Sequence, residues 1–255
     1  MIKSGRLILL SYLMVLMSVT GLSAQDLRQA GPAGTKIIFQ TDKNIIPCKW
    51  RNKKTRPEYS FIRADDIPHT LEILNTSLGK YPPLVLKKNL KRIYVLKKLY
   101  FFGLEYGGTY YKKEIFLTNN GKESGYTDQY IEGTFHHEFS SVLIKRYGRF
   151  LNTEGWLEAN PDGFSYGDGG VEALRKNTTG LKLDTALFDK GFLNEYSLSS
   201  FEEDLNCYAE YIFRNDPGFW QAWELSEAIR RKTAILISFY HRIDPVFSQE
   251  YFKRL

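Results

Sequence analysis

Thr134-Phe135-His136-His137-Glu138-Phe139-Ser140-Ser141 is the stretch on which the reading turns, because it sets two of the chain's four histidines side by side next to a glutamate. The stretch sits inside residues 129 to 147, where the pattern is helical, and Gly148 fits a C-terminal stop. The helical pattern H-E-x-x-H places two imidazoles one turn apart, about 40° from each other around the axis, where both grip Zn²⁺ while the glutamate polarises the metal-bound water. His137-Glu138 matches the first half of that pattern, and Ser141 stands at the expected second-His position. A hydroxyl is a poor zinc donor beside imidazole, thiolate or carboxylate. His136 lies about 140° from Ser141 around the helix, so it completes a metal shell only in a distorted geometry.

Upstream, residues 25 to 34 are polar and Gly/Pro-bearing, a flexible lead-in, and residues 35 to 39 form a short strand. Residues 42 to 60 are mixed and basic, which predicts a loop. Ile67, Leu71, Leu74 and Leu78 recur at helical intervals, and Pro82-Pro83 stops that helix. Residues 92 to 99 and 113 to 118 are strand-like and flank Gly107-Gly108, which predicts a strand pair around a turn. Downstream, residues 148 to 195 are rich in Gly, Asn and Asp, with Trp156 and Phe164 as anchors. Ser199 or Ser200 caps a helix through Phe213, with Glu202 and Glu203 in its first turn, and a further helix spans about 219 to 240. The expected fold class is α+β: a small mixed sheet, then a central helix, then a mainly helical C-terminal lobe.

The segment after the central helix carries a second constellation. Gly191-Phe192-Leu193-Asn194-Glu195-Tyr196 leads into Glu203-Asp204-Leu205, with Glu203 66 positions beyond His137. Glu203, Cys207 and Glu210 share one face by their four- and seven-residue spacing, so Glu210 is placed to orient a ligand. Tyr196 followed after seven residues by Glu203-Asp204-Leu205, together with the tail residues Phe239-Tyr240, Ile243-Asp244-Pro245 and Glu250-Tyr251-Phe252, resembles the zinc-binding metallopeptidases of bacterial envelopes. These are gluzincin-like proteins distantly similar to the anthrax lethal factor peptidase domain, and the resemblance spans roughly residues 65 to 255. It implies a zincin-like fold, Zn as cofactor, His137 and Glu203 as metal ligands, Glu138 as general base and Tyr196 as a phenol that stabilises the oxyanion. The sequence departs from the family at Ser141, an HExxS in place of HExxH. Asp204 or a distorted His136 remains as a source of the absent donor. Without a metal, the two histidines are hydrogen-bonded helix residues, Glu203 is ordinary N-terminal helix charge, and Glu138 pairs with His136, His137 or another base.

Residues 1 to 24 read as a signal peptide: Lys3 and Arg6, an apolar run, then Leu22-Ser23-Ala24. The expected location is the periplasm or the exterior of a bacterial envelope, with residues 25 to 255 as a single domain. Taking Lys3 and Arg6 from the 35 Lys and Arg leaves 33 against 29 Asp and Glu, scattered in short clusters, which argues against a nucleic-acid partner. Cys48 and Cys207 allow one disulfide or two free thiols. The Gly-rich stretch 166 to 170 lacks the Lys and Ser/Thr of a phosphate loop, and Asp162, Asp168 and Glu172 lack calcium-loop spacing. Three functions follow. One is an exported zinc-dependent peptidase acting on a peptide or protein substrate. The second is a non-catalytic relative that binds a peptide or glycan for an envelope uptake or polymer-utilisation system, alongside envelope-associated partners. The third is a structural envelope protein whose cleft is vestigial.

Overall fold

The computed structural model describes residues 27–255, so the expected signal peptide lies outside the described residues. Seven strands form one mixed sheet: β1 Leu27–Ala30, β2 Lys36–Gln40, β3 Glu58–Phe61, β4 Arg92–Phe101, β5 Leu104–Glu105, β6 Gly108–Tyr111 and β7 Glu114–Thr118. Among the described residues ten α-helices accompany them: α1 Ile67–Gly79, α2 Pro83–Asn89, α3 Asp128–Tyr147, α4 Thr153–Leu157, α5 Gly170–Lys176, α6 Thr185–Phe188, α7 Phe201–Phe213, α8 Pro217–Leu225, α9 Glu227–Ile243 and α10 Gln249–Phe252. The architecture is mixed α/β, with the strands gathered in the first half and helices dominating the second.

The sheet order is β1-β2-β4-β7-β6, while β3 and β5 pair with the far end of β4. β4 runs parallel to both β2 and β7, and β6 returns antiparallel to β7 at the edge. The expected strand pair of residues 92–99 and 113–118 is therefore present, but it is parallel and is not joined by a simple turn. The chain first folds back through the β4–β5 hairpin, where Phe102 and Gly103 both take positive φ, +57° and +75°. Positive φ at both central residues matches the right-handed twist of the flanking strands. Gly108 is the first residue of β6 rather than part of a turn.

Side chains along β4 alternate between two buried faces. Ile93 and Val95 join the main core with Phe135, Phe139 and Leu143 of α3 and Tyr208 and Ile212 of α7. Tyr94 and Leu96 face the other way, under Ile45, Ile46 and Trp50. Residues 42 to 60, expected as plain loop, thus cover the second face of the sheet and end in β3. The polar lead-in likewise forms β1, paired antiparallel with β2. The first helix, α1, stops at Gly79, just before Pro82-Pro83 as expected, and Pro83 also opens α2 at a position whose missing N–H has no helical partner to lose. The expected helix over 219–240 is broken at Ser226, whose Oγ accepts the Ile229 N–H and donates to the Phe188 carbonyl, starting α9 in a new direction. Trp156 is buried, as expected of an anchor, and the partly buried Phe164 packs against Phe192 with ring centroids 4.6 Å apart. Cys48 is exposed and Cys207 buried, both as free thiols. Among the described residues, no helix is long and apolar enough to cross a membrane.

Candidate functional site

α3 lies across the sheet beside β6 and packs along α7. The close approach of the two helices depends on Gly133, where a Cβ would sit 2.7 to 2.9 Å from three atoms of the Glu210 side chain. Gly108 plays the same part for β6, since a Cβ there would meet Thr134 at 2.6 Å and Glu138 at 3.0 Å. Thr127 caps α3 by accepting the Tyr130 N–H, and Ser200 caps α7 by accepting the Glu203 N–H at 3.1 Å. Asp204, one position on, faces the opposite side of α7 into the core. Its Oδ2 accepts from Lys232 Nζ at 2.7 Å, Trp156 Nε1 at 2.9 Å and the Tyr166 hydroxyl at 2.7 Å. That buried anchor turns Glu203 outward, toward α3.

Between α3, α7, β6 and α5 lies a cavity of about 450 Å³ that His137, Glu138, Ser141, Tyr196 and Glu203 all line. His137 Nε2 and Glu203 Oε2 are 2.8 Å apart, and Glu210 Oε2 lies 3.9 Å from His137 Nδ1. The Tyr196 ring stacks on that of His137 with centroids 6.0 Å apart. Burial opposes an imidazolium here, but the hydrogen bond to Glu203 and the neighbouring Glu210 and Glu138 carboxylates outweigh it and hold His137 well above its ordinary value. Burial, reinforced by Glu203, raises Tyr196, so the phenol keeps its proton. Glu138 is 8% exposed and makes no hydrogen bond or ion pair with another described residue. Burial pushes its carboxyl up to about 8, partly offset by His137. The expected pairing of Glu138 with a neighbouring base is not present; it faces the cavity.

His136 and Asp204 lie apart from this cluster. His136 is buried on the other side of α3, its Nδ1 2.9 Å from the Tyr81 hydroxyl, its Nε2 3.5 Å from Glu132 and its ring stacked on Phe213. Asp204 is committed to Lys232.

A zinc centre calls for three protein donors in a catalytic site and four in a structural one. The residues present do not meet that requirement. His137 Nε2 is engaged by Glu203, and the Ser141 hydroxyl, at the expected second-His position, is met by the Asn206 amide at 2.7 Å. Among the described residues, no group of three His, Cys, Asp or Glu side chains is placed to hold a metal ion. Asn206 was not a candidate from the sequence. It lies 65 positions from Ser141, and only the packing of α3 on α7 brings the two together. Tyr110 of β6, which donates to Glu202 at 3.2 Å across the cavity, also carried no local signal. No protein-family model matches this chain, and no curated protein or solved structure is significantly similar to it.

Proposed function

We propose that the chain is an exported, metallopeptidase-like binding protein whose cleft receives an extended peptide without zinc-dependent hydrolysis. The observation that carries the reading is the Ser141–Asn206 pair. A serine that replaces the second histidine has its hydroxyl engaged by an amide from the facing helix, so the position serves helix packing. His137 is correspondingly engaged at Nε2 by the Glu203 carboxylate, and its Nδ1 faces the Glu210 carboxylate 3.9 Å away, surroundings that favour a charged imidazolium over a neutral metal ligand. The peptide class rests on β6. An edge strand presents unpaired backbone N–H and C=O groups, and an extended chain adds to such an edge. Here Gly108, Thr109 and Tyr110 of that strand form one wall of the cavity. A zincin-like ancestry accounts for the order of sheet, central helix and carboxylate-bearing helix, and residues 1 to 24 account for export.

The hydrolytic reading retains one observation: His137, Glu138, Tyr196 and Glu203, the four residues the family resemblance selects, share a single cavity. One experiment separates the readings. Fluorescein-labelled extended peptides are incubated with purified protein, binding is read by anisotropy and integrity by mass spectrometry, with and without a chelator. Saturable binding with intact peptide, indifferent to chelation, supports the binding protein. Cleavage that chelation abolishes overturns it in favour of the peptidase.

A further inference from the structure

The walls of the cavity are unbalanced in charge. Glu105, Glu138, Glu202, Glu203 and Glu210 line it, and among the described residues that do so there is no Lys or Arg. Two of the five carboxylates are compensated. Glu203 has His137, and Glu210 has Arg214 Nη1 at 3.4 Å as well as His137. Glu202 and Glu105 accept only phenolic O–H groups, from Tyr110, Tyr100 and Tyr126. Glu138 is more than nine-tenths buried and has no partner, with its carboxyl turned into the cavity. Burial disfavours the ionised form of a carboxyl that has no donor, and a bound cation relieves that penalty. Tyr106, Tyr110, Tyr130 and Tyr196 add aromatic rings to the lining. Aromatic faces attract a desolvated ammonium or guanidinium, and a charge-assisted hydrogen bond to carboxylate is roughly twice as strong as a neutral one. A volume of about 450 Å³ falls within the range of small-ligand pockets and admits one long side chain or a peptide terminus.

We propose that the cavity selects a cationic group of the bound peptide, the ammonium of a lysine or amino terminus or the guanidinium of an arginine, with Glu138 as its acceptor. The inference rests on the peptide-binding reading and names the ligand class of that same cleft. The cation sits between Glu138 and Glu202, where it stabilises the ionised form of the unpartnered Glu138 carboxyl, and the Tyr196 and Tyr110 phenols flank it.

The test is anisotropy with three N-acetylated, C-amidated pentapeptides of alanine bearing a central lysine, arginine or norleucine, and with the norleucine peptide carrying a free amino terminus. The proposal predicts that at least one cationic peptide binds tenfold or more tightly than the blocked norleucine peptide. The preference collapses to within threefold in Glu138→Gln, whose retained fold is checked by circular dichroism. Tight binding of the lysine or arginine peptide assigns the cation to a side chain, and tight binding of the free-terminus peptide assigns it to the terminus. Equal binding of charged and uncharged peptides overturns this proposal and leaves the peptide cleft standing. Failure of every peptide to bind at high micromolar concentration overturns both.

Discussion

Replacing Lys232 with methionine tests whether the buried anchor behind the cleft aligns α7. Lys232 and Asp204 are both 0% exposed, so the pair stands in a low-dielectric interior with Nζ and Oδ2 2.7 Å apart. The substitution keeps the volume of the stem and removes the charge, along with a second bond from Nζ to the Gly191 carbonyl at 2.8 Å. Asp204 would then keep only the Trp156 and Tyr166 donors on Oδ2, and its Oδ1 already lacks a partner. Breaking a buried pair in this way destabilises by roughly 3–5 kcal/mol. A ceiling applies, because the stranded carboxylate can take up a proton. Burial already raises Asp204 above its ordinary 3.8, even with Lys232 beside it. Protonating it at pH 7.5 instead of 3.8 requires about 5 kcal/mol, whereas at pH 4.5 the figure is about 1 kcal/mol. The sign follows from proton counting. In the variant the folded state holds a proton that the unfolded state has released, so stability falls as pH rises from about 4. Guanidinium unfolding followed by tryptophan fluorescence should show a loss of 3–5 kcal/mol at pH 7.5, shrinking to roughly 1–2 kcal/mol at pH 4.5, the remainder being the lost Gly191 bond. The double variant Lys232→Met/Asp204→Asn should recover much of the loss at pH 7.5. A loss below about 1 kcal/mol, or one that does not shrink toward pH 4.5, would refute a buried ion pair as the anchor.

Two further perturbations probe the packing of α3 on α7. Burial drives His136 down to about 4 from an ordinary 6.5, so the unfolded chain takes up a proton in that window and the folded chain does not. Stability should fall by about 3 kcal/mol between pH 6.5 and pH 4, and His136→Phe, which keeps the stack on Phe213, should remove that component from the pH dependence of the unfolding midpoint. Gly133→Ala forces a methyl against the Glu210 side chain at under 3 Å, so it should destabilise by roughly 1–3 kcal/mol and move Glu210 away from His137. The imidazole titration of His137 by NMR would report the displacement as a lowered pKa, and an unchanged titration would place Glu210 outside its environment.

The central helix and the capped helix carrying Glu203 were legible because their signals are local. Ser200 opens α7 and Gly148 closes α3, and 3.6-residue spacing puts His137 and Ser141 on one face of α3 and Glu203 and Glu210 on one face of α7. The pairing of strands was less legible. Residues 92 to 118 show which segments are extended, but partners are set by tertiary packing, and Phe102-Gly103 makes a tight hairpin without the Asn-Gly or Asp-Gly signal of such turns. The single apolar run through residues 219–240 hid the break at Ser226, because its capping bond to Ile229 and its contact with Phe188 are geometric rather than periodic. In the site, it was the family resemblance that set His137 with Glu203, and helical spacing along α7 that added Glu210 to the same face. The isolation of Glu138 and the Asn206 amide on Ser141 had no such signal, since each depends on what the facing element brings to within 3 Å.

The central claim is that Ser141 and Asn206 have replaced a metal-binding position with a helix contact. Elemental mass spectrometry after zinc dialysis, run on the wild-type protein and on Ser141→His, tests it most directly. The account predicts far less than one equivalent of zinc in the wild type, and a gain in Ser141→His that His137→Ala and Glu203→Ala each abolish in that background. Near-stoichiometric zinc in the wild type, lost in His137→Ala and in Glu203→Ala, would contradict the account and restore the peptidase reading.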